Sequence, residues 1–181
     1  MSELRLLEPS EFLGLPPKSA WDFKDLERLH AAIGEKSALQ EALPGLACRK
    51  GCHHCCRRIP SLLPVEFAYL SSIAASGGDS SLRSELHPGE ALCGLLDDQG
   101  ACRLYERRPV VCRTHGLLIL SEAGLDHCPW NFQELEEIDE SLPFSLESLH
   151  ETSLRVNLAF LQRSYPDAWR SLAAVRVRFQ S

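Results

Sequence analysis

The sequence predicts a mainly α fold with an irregular, loop-rich cysteine-cluster core and helical extensions at both ends; a small α+β arrangement is the alternative. Apolar residues recur at helical spacing near both ends, and all eight cysteines lie between Cys48 and Cys128 in a stretch rich in glycine and proline. The 181 residues suit a single domain, residues 1–181. We divide it into a helical segment at 1–47, a metal-binding cysteine region at 48–130 and a helical segment at 131–181.

The first segment contains one predicted helix. Ser19 followed by Asp22 resembles a capping box, which satisfies the first backbone N–H groups of a helix. Apolar and aromatic residues then recur at helical spacing: Phe23, Leu26, Leu29, His30 and Ile33. Pro44-Gly45 ends the pattern. We expect this helix to contribute packing and no chemistry.

A second helix is predicted inside the cysteine region. It begins at Pro64, because proline suits the first turn of a helix, and continues to Ile73. A short strand is predicted over 117–120, followed by a turn over 122–124. Glycine and proline interrupt this region so often that we expect it to have little capacity for an apolar core of its own. Metal ligation would replace burial there, since structural zinc contributes about 10–16 kcal/mol of apparent binding free energy.

Helical spacing returns in the last segment. Residues at steps of three or four predict one helix: Leu146, Leu149, Ser153, Val156 and Phe160. Pro166 breaks this pattern. A last helix is predicted to carry Trp169, Leu172, Val175 and Phe179.

Composition and charge exclude several classes of partner and location. The net charge of −6 argues against a nucleic-acid binder, which usually presents a basic face. Glu3, Arg5 and Glu8 interrupt the short leucine run near Met1, so no secretory signal is expected, and no segment reaches the roughly 18 apolar residues of a membrane span. We therefore expect a cytoplasmic protein. In that compartment thiols stay reduced, so metal binding is favoured over disulfides.

The cysteine spacing is typical of a metal centre. Thiolates bind zinc and the irons of iron–sulfur clusters tetrahedrally, and Cys52-x2-Cys55 brings two of them together through a tight turn. Cys48-x3-Cys52 extends this pair, and Gly51 allows close approach of the backbone. Cys55 and Cys56 are adjacent, so their side chains diverge. They would serve two ions, two irons of one cluster, or one ion and a packing role. Eight thiols fill two four-cysteine sites, or one site with thiols left over.

Other residues near the thiols have two interpretations. Four histidines could replace a sulfur ligand, although surface or hydrogen-bonding roles are favoured: His53, His54, His115 and His127. Six basic residues flank the thiols and are either solvated or offset the charge of bound thiolates: Arg49, Lys50, Arg57, Arg58, Arg103 and Arg113.

Two known classes of metal site fit the pattern less well. The spacing of Cys48, Cys52 and Cys55 equals that of radical S-adenosylmethionine enzymes, but no alternating strand–helix series follows it. A zinc ribbon needs two C-x2-C pairs, and this sequence has only one.

Taken together, the cysteines form an ordered set of motifs. These are Cys48-x3-Cys52-x2-Cys55-Cys56, Cys93-x8-Cys102, Arg103-Leu-Tyr105-Glu-Arg-Arg108-Pro109-x2-Cys112-Arg113 and Cys128-Pro129. This order resembles the YkgJ family of cysteine-cluster proteins over about residues 48–130. Members are described as zinc- or iron-chelating domains and are often labelled Fe–S oxidoreductases; the flagellin lysine methylase group has a similar motif. The resemblance implies that all eight cysteines bind the metal or cofactor.

The expected cofactor is an iron–sulfur cluster, preferably [4Fe–4S], or zinc. A cluster would give a redox or electron-transfer role with a protein redox partner, as a module or as a component of an iron–sulfur enzyme. Zinc would give a structural or interaction domain without catalysis. A third interpretation is a metal-transfer protein that holds iron or zinc loosely. The sequence contains no recognisable Ser-His-Asp arrangement, phosphate loop or dinucleotide fingerprint, so no reaction is predicted.

Overall fold

Two small three-stranded sheets join distant parts of the described chain. The computed structural model describes residues 5–57, 60–76, 93 and 95–178. In the first sheet, β6 (Val175–Arg178) lies between the parallel β1 (Arg5–Leu7) and the antiparallel β2 (Ser61–Leu62). In the second, β3 (Ile119–Ser121) lies between the antiparallel β4 (Gly124–Asp126) and the parallel β5 (Phe144–Ser145). The first sheet therefore ties both ends of the described chain to its middle.

Six α-helices lie in the described ranges. They are α1 (Pro9–Leu13), α2 (Lys24–Glu41), α3 (Pro64–Ser76), α4 (Val110–Thr114), α5 (Leu146–Ser164) and α6 (Trp169–Leu172). Two short 3₁₀ helices, His54–Arg57 and Tyr105–Arg107, lie beside cysteines in the sequence. With two sheets as well, the fold is mixed α+β, which corrects the expectation of a mainly α chain. None of these helices is both long and apolar enough to cross a lipid bilayer.

Three of the predicted helices are confirmed. α2 covers most of the N-terminal periodicity and ends before Pro44-Gly45, α3 begins at Pro64, and α5 ends before Pro166. The strand predicted over 117–120 begins two residues later, at Ile119, and continues through a turn into β4.

The predicted capping box before α2 was wrong. The helix begins at Lys24, whose backbone N–H donates to Asp22 Oδ1 at 3.1 Å. The hydroxyl of Ser19 instead donates to the carbonyl of Arg163 at the end of α5, also at 3.1 Å. A hydrogen bond between residues 144 positions apart in the sequence therefore replaces the local capping bond that was predicted.

The last predicted helix was also wrong. It stops after the single turn of α6, and Val175 lies in the central strand β6; Phe179 lies outside the described residues. Val175 and Val177 are almost fully buried and alternate with Arg176 and Arg178. This two-residue period suits a strand with one face in the core.

The main apolar core surrounds α3. Every side chain from Leu62 to Leu70 is buried, including the carboxyl group of Glu66. α3 packs against α5 and β6, and Phe12 and Phe160 complete the core with almost no exposed surface. Burial of a large apolar side chain stabilises the fold by about 1.5–3 kcal/mol. A helix of the cysteine region therefore lies at the centre of the core, which corrects the expectation that this region has little capacity for one.

A second, smaller apolar cluster connects α2 to the cysteine region. It joins Ile33 of α2 with Val110 of α4, Leu117 and Phe144. Polar contacts reinforce this connection, because the amide of Gln40 is fully buried. Its Nε2 donates to the carbonyls of Leu118 and Leu142 at 3.3 and 2.8 Å, and its Oε1 accepts from the N–H of Leu118 at 2.7 Å.

We predict that Gln40→Met lowers the free energy of unfolding by about 3 kcal/mol, because it leaves buried backbone groups without hydrogen-bond partners. Chemical denaturation followed by circular dichroism measures this loss. Gln162→Met on the exposed face of α5 is the matched control and should change stability by less than about 0.5 kcal/mol. Equal losses in the two variants would contradict a role for Gln40 as a bridge.

Candidate metal centre

Seven of the eight cysteines line two adjoining cavities. The smaller thiol cavity has a volume of about 230 Å³ and is lined by Cys48, Cys52, Cys55 and Cys112. The larger thiol cavity has a volume of about 350 Å³ and is lined by Cys52, Cys55, Cys56, Cys93, Cys102 and Cys112. Cys52, Cys55 and Cys112 line both cavities. All eight cysteines are free thiols.

Gly116 holds Cys48 and Cys128 close together. Its backbone has φ +90°, a conformation that L side chains rarely adopt. A Cβ atom there would lie 2.9 Å from the sulfur of Cys48 and 3.1 Å from Cβ of Cys128. The N–H of Cys128 donates to the Gly116 carbonyl at 3.3 Å. Cys128 therefore lies near Cys48, at the edge of the smaller thiol cavity.

Asn131 fixes the position and hydrogen bonding of Cys48. The side chain is fully buried, and its Oδ1 accepts from the N–H groups of Ala47 and Cys48 at 3.0 and 3.2 Å. Its Nδ2 donates to the Gly116 carbonyl and to the sulfur of Cys48, the latter at 3.2 Å. A donor aimed at sulfur stabilises a thiolate.

Short backbone turns place the cysteines of the larger cavity. The N–H of Cys56 donates to the His53 carbonyl at 3.0 Å, and the Cys56 carbonyl accepts from the N–H of Cys93 at 2.8 Å. An isolated antiparallel bridge pairs Leu96 with Cys102. The carboxylate of Asp97 closes the turn between them by accepting two backbone N–H groups. Three parts of the chain that are distant in sequence therefore meet around one cavity.

Cys112 is positioned by α4, and α4 is fixed by the buried Glu66. One carboxyl oxygen of Glu66 accepts from the N–H of Val110 at 2.8 Å, and the other accepts from the N–H of Leu63 at 3.3 Å. These bonds join the beginnings of α4 and α3. Burial raises the pKa of Glu66, and the two backbone N–H groups oppose that shift. Sequence reasoning missed this residue, although a glutamate in the first turn after Pro64 was a local signal.

Burial dominates the titration of several thiols. It raises the pKa values of Cys48, Cys93 and Cys102, and that of Cys112 to about 12. Hydrogen bonds oppose these shifts: they come from Asn131 to Cys48, from the Leu95 backbone to Cys93 and from the Leu104 backbone to Cys102. These four thiols are therefore protonated at neutral pH until a cation binds, because metals bind thiolates.

Cys55 and Cys56 have opposite tendencies. A hydrogen bond from the Cys56 thiol lowers the pKa of Cys55 to about 6, and the same bond raises the pKa of Cys56. Cys55 is also the exposed member of the eight. The adjacent pair, whose side chains were expected to diverge, thus shares one proton near neutral pH.

The histidines and basic residues near the thiols occupy different positions. His115 lines both thiol cavities. The ring of His53 lies against Gly100 and stacks on His54, which in turn stacks on the exposed Trp130. His127 Nδ1 lies 3.0 Å from the carbonyl of Cys128.

Two of the predicted flanking basic residues, Arg49 and Arg113, line the smaller cavity. Arg58 lies outside the described residues. Arg108 was not among the six, yet it lines both cavities, donates to the Cys112 carbonyl at 3.3 Å and lies 3.6 Å from the centre of the Tyr105 ring. Its positive charge adds to the hydrogen bond that lowers the pKa of Cys55, and it opposes the burial that raises the pKa of Cys102.

We predict that Gly116→Ala lowers the free energy of unfolding by about 1–3 kcal/mol more than Gly124→Ala, because only the first substitution places a methyl group against Cys48. Both glycines have positive φ, but an added Cβ at Gly124 has no atom within 4 Å. The pair therefore separates overpacking from backbone strain in denaturation experiments. Equal destabilisation would contradict close packing around Gly116.

We predict that iodoacetamide at pH 7 alkylates Cys55 first, and well before Cys112, in the reduced, metal-free protein. The reactive species is the thiolate, which predominates above the pKa of about 6 at Cys55 and is scarce below the pKa of about 12 at Cys112. Peptide mapping by mass spectrometry gives the order of labelling. Lowering the pH to 5 should slow labelling of Cys55 markedly, and a rate that does not change with pH would contradict the assignment.

Within the described ranges, no three of the Cys, His, Asp and Glu side chains form a ready-made ion-binding group.

The comparison with family models agrees with the concentration of thiols in this part of the sequence. Residues 47–138, just over half of the chain, match the model of the CxxCxxCC family, described as "Putative zinc- or iron-chelating domain". Neither a curated protein nor a solved structure matches the chain. The expected cofactor, an iron–sulfur cluster or zinc, agrees with this description, and the chain belongs to the CxxCxxCC family.

Proposed function

We propose that the cysteine region holds an iron–sulfur cluster and that the chain works as a redox or electron-transfer module. The observation that carries this proposal is the larger thiol cavity, of about 350 Å³, whose lining includes six of the eight cysteines. One water molecule occupies about 30 Å³ of the liquid. A single zinc ion needs four ligands and fills far less than this volume. The number of thiols in the lining and the volume of the cavity therefore favour an inorganic cluster.

The ligands proposed for this centre are the eight cysteines. Cys52, Cys55 and Cys112 are central, because they line both thiol cavities. Cys56, Cys93 and Cys102 line the larger cavity alone. Cys48 lines the smaller cavity, and Cys128 adjoins it across Gly116.

Groups around the sulfurs support a redox role. When bound, a cluster supplies one-electron transfer, and donors or cations near its sulfurs raise its reduction potential. Asn131 and the backbone of Leu95 and Leu104 provide donors, and Arg108 provides a positive charge. A protein redox partner would exchange electrons with the centre. We place this function in the cytoplasm, where thiols stay reduced.

A zinc-stabilised structural domain is the second candidate. It is favoured by the smaller thiol cavity, whose four cysteines equal the number of ligands in a structural zinc site. Zinc has no redox chemistry, so in this case the cysteines would act in folding and in presenting a surface to a partner.

The metal itself distinguishes the two candidates. Protein purified without oxygen should be brown, absorb near about 400 nm and contain iron and acid-labile sulfide if the cluster is present. Elemental analysis of the same sample gives the stoichiometry. A colourless preparation with stoichiometric zinc would refute the cluster and favour the structural domain.

We predict that Cys52→Ser abolishes metal retention and destabilises the 48–130 region, because Cys52 lines both cavities. Metal content and thermal unfolding are measured on the variant and on His54→Ala. His54 is an exposed neighbour of Cys55 and should be dispensable. Unchanged metal content in Cys52→Ser, or loss of metal in His54→Ala, would count against the proposed ligands.

A further inference from the structure

A third cavity lies on the other side of α4 from the thiols. Its volume is about 340 Å³, and its walls come from α3, α4, β3 and α5 together with β6. Much of the lining is apolar: Leu63, Val110, Val111, Ile119, Leu146 and Leu149. None of its lining residues is a cysteine, and Val111 and His115 also line the larger thiol cavity. α4 is therefore a shared wall between two cavities of different chemistry.

Arg176 brings a poorly partnered positive charge to this cavity. Its side chain is half-buried and donates to the carbonyl of Val175 at 3.2 Å. Among the described residues, no carboxylate lies within 4.0 Å of its guanidinium nitrogens. A guanidinium carries five N–H donors. Most of its donor capacity is thus left for a ligand or water.

The carboxyl group of Glu66 shares the cavity and attracts Arg176, although the two groups form no ion pair within 4.0 Å. Each oxygen of Glu66 already accepts one backbone N–H group, from Leu63 or from Val110. Burial lowers the pKa of Arg176 and raises that of Glu66. The cavity therefore combines an acid that is bonded to the backbone with a cation that has no carboxylate of the described chain in hydrogen-bond contact.

Ser153 adds a second unpartnered polar group. Its residue is 9% exposed, and its Oγ is buried without a hydrogen-bond partner within the described chain. Buried polar atoms are nearly always paired, so an orphan hydroxyl beside a cavity indicates a missing partner. His150, one turn earlier on α5, lines the same cavity from a more exposed position.

We propose that this cavity binds a small organic carboxylate with a short aliphatic chain. The guanidinium of Arg176 pairs with the carboxylate, and the apolar walls of α4 and α5 cover the chain. The volume is near the lower end of the range of about 300–1,000 Å³ for small-molecule sites and suits a small ligand. The positive charge of Arg176 favours an anionic ligand over a cationic one. This inference goes beyond the proposed redox function and holds for either metal.

Titration calorimetry on the metal-loaded protein tests the proposal with hexanoate as the probe. Hexanol, hexylamine and inorganic phosphate are the comparison compounds. We expect saturable binding of hexanoate, weaker binding of hexanol and of phosphate, and none of hexylamine. Hexanol or phosphate binding as tightly as hexanoate would overturn the proposed combination of charge and apolar surface, as would the absence of saturable hexanoate binding.

Variants of the strand β6 locate the site. Arg176→Met should weaken hexanoate binding about tenfold or more, since a hydrogen bond to a charged group contributes about 1.5–3 kcal/mol. Arg176→Lys should keep part of the affinity. Arg178→Met is the matched control: Arg178 is on the same strand but pairs with Glu8 at 3.3 Å and does not line the cavity. Equal affinities in Arg176→Met and Arg178→Met would overturn the assignment.

A second variant keeps the proposal testable if Arg176→Met does not fold. Leu149→Trp leaves Arg176 in place and fills the cavity, so it should abolish hexanoate binding while the circular dichroism spectrum stays native. Retained binding in this variant would overturn the site. Metal content is measured on every preparation. Full metal with no hexanoate binding refutes this inference alone, whereas hexanoate binding to a zinc-loaded protein refutes the cluster alone.

Discussion

The carboxyl group of Glu66 connects the apolar core to the helix that carries Cys112. It is almost fully buried and accepts one hydrogen bond at the beginning of α3 and one at the beginning of α4. α3 lies at the centre of the core although it belongs to the cysteine region, and α4 carries Cys112. This bridge ties α4 to the core, and the cluster around Ile33 ties α4 to α2. An unpaired buried acid would be costly, and the two N–H groups remove that cost.

Several of the thiols lie in an environment that opposes their ionisation and at the same time prepares them for a metal. Burial keeps Cys48, Cys93 and Cys102 protonated, while each also receives a hydrogen bond directed at its sulfur. A divalent or iron cation reverses this balance, because it binds thiolates and releases protons. Metal affinity is consequently linked to pH, and the same free energy stabilises the loops that carry the sulfurs.

The long helices could be predicted from the sequence because their signals are local. α2, α3 and α5 have apolar spacing or a proline at the start that a short window detects. β6 was missed because Val175 also continues the helical spacing of Trp169 and Leu172, and the strands β1 and β2 that pair with β6 are distant in sequence. The density of thiols was evident, but their arrangement was not. Asn131 and Glu66 act through partners up to 84 residues away, and such contacts leave no local pattern.

The five residues of α4 separate the larger thiol cavity from the Arg176 cavity, and this has a thermodynamic consequence. One side carries Cys112, and the other side forms part of the Arg176 cavity. A ligand in either cavity restricts the same short helix. If α4 adopts different positions when the two cavities are filled, a ligand in one cavity changes the affinity of the other cavity for its own ligand. Linkage makes that effect mutual and equal in both directions. The affinity for a molecule that never touches sulfur would then depend on whether the thiols hold a metal.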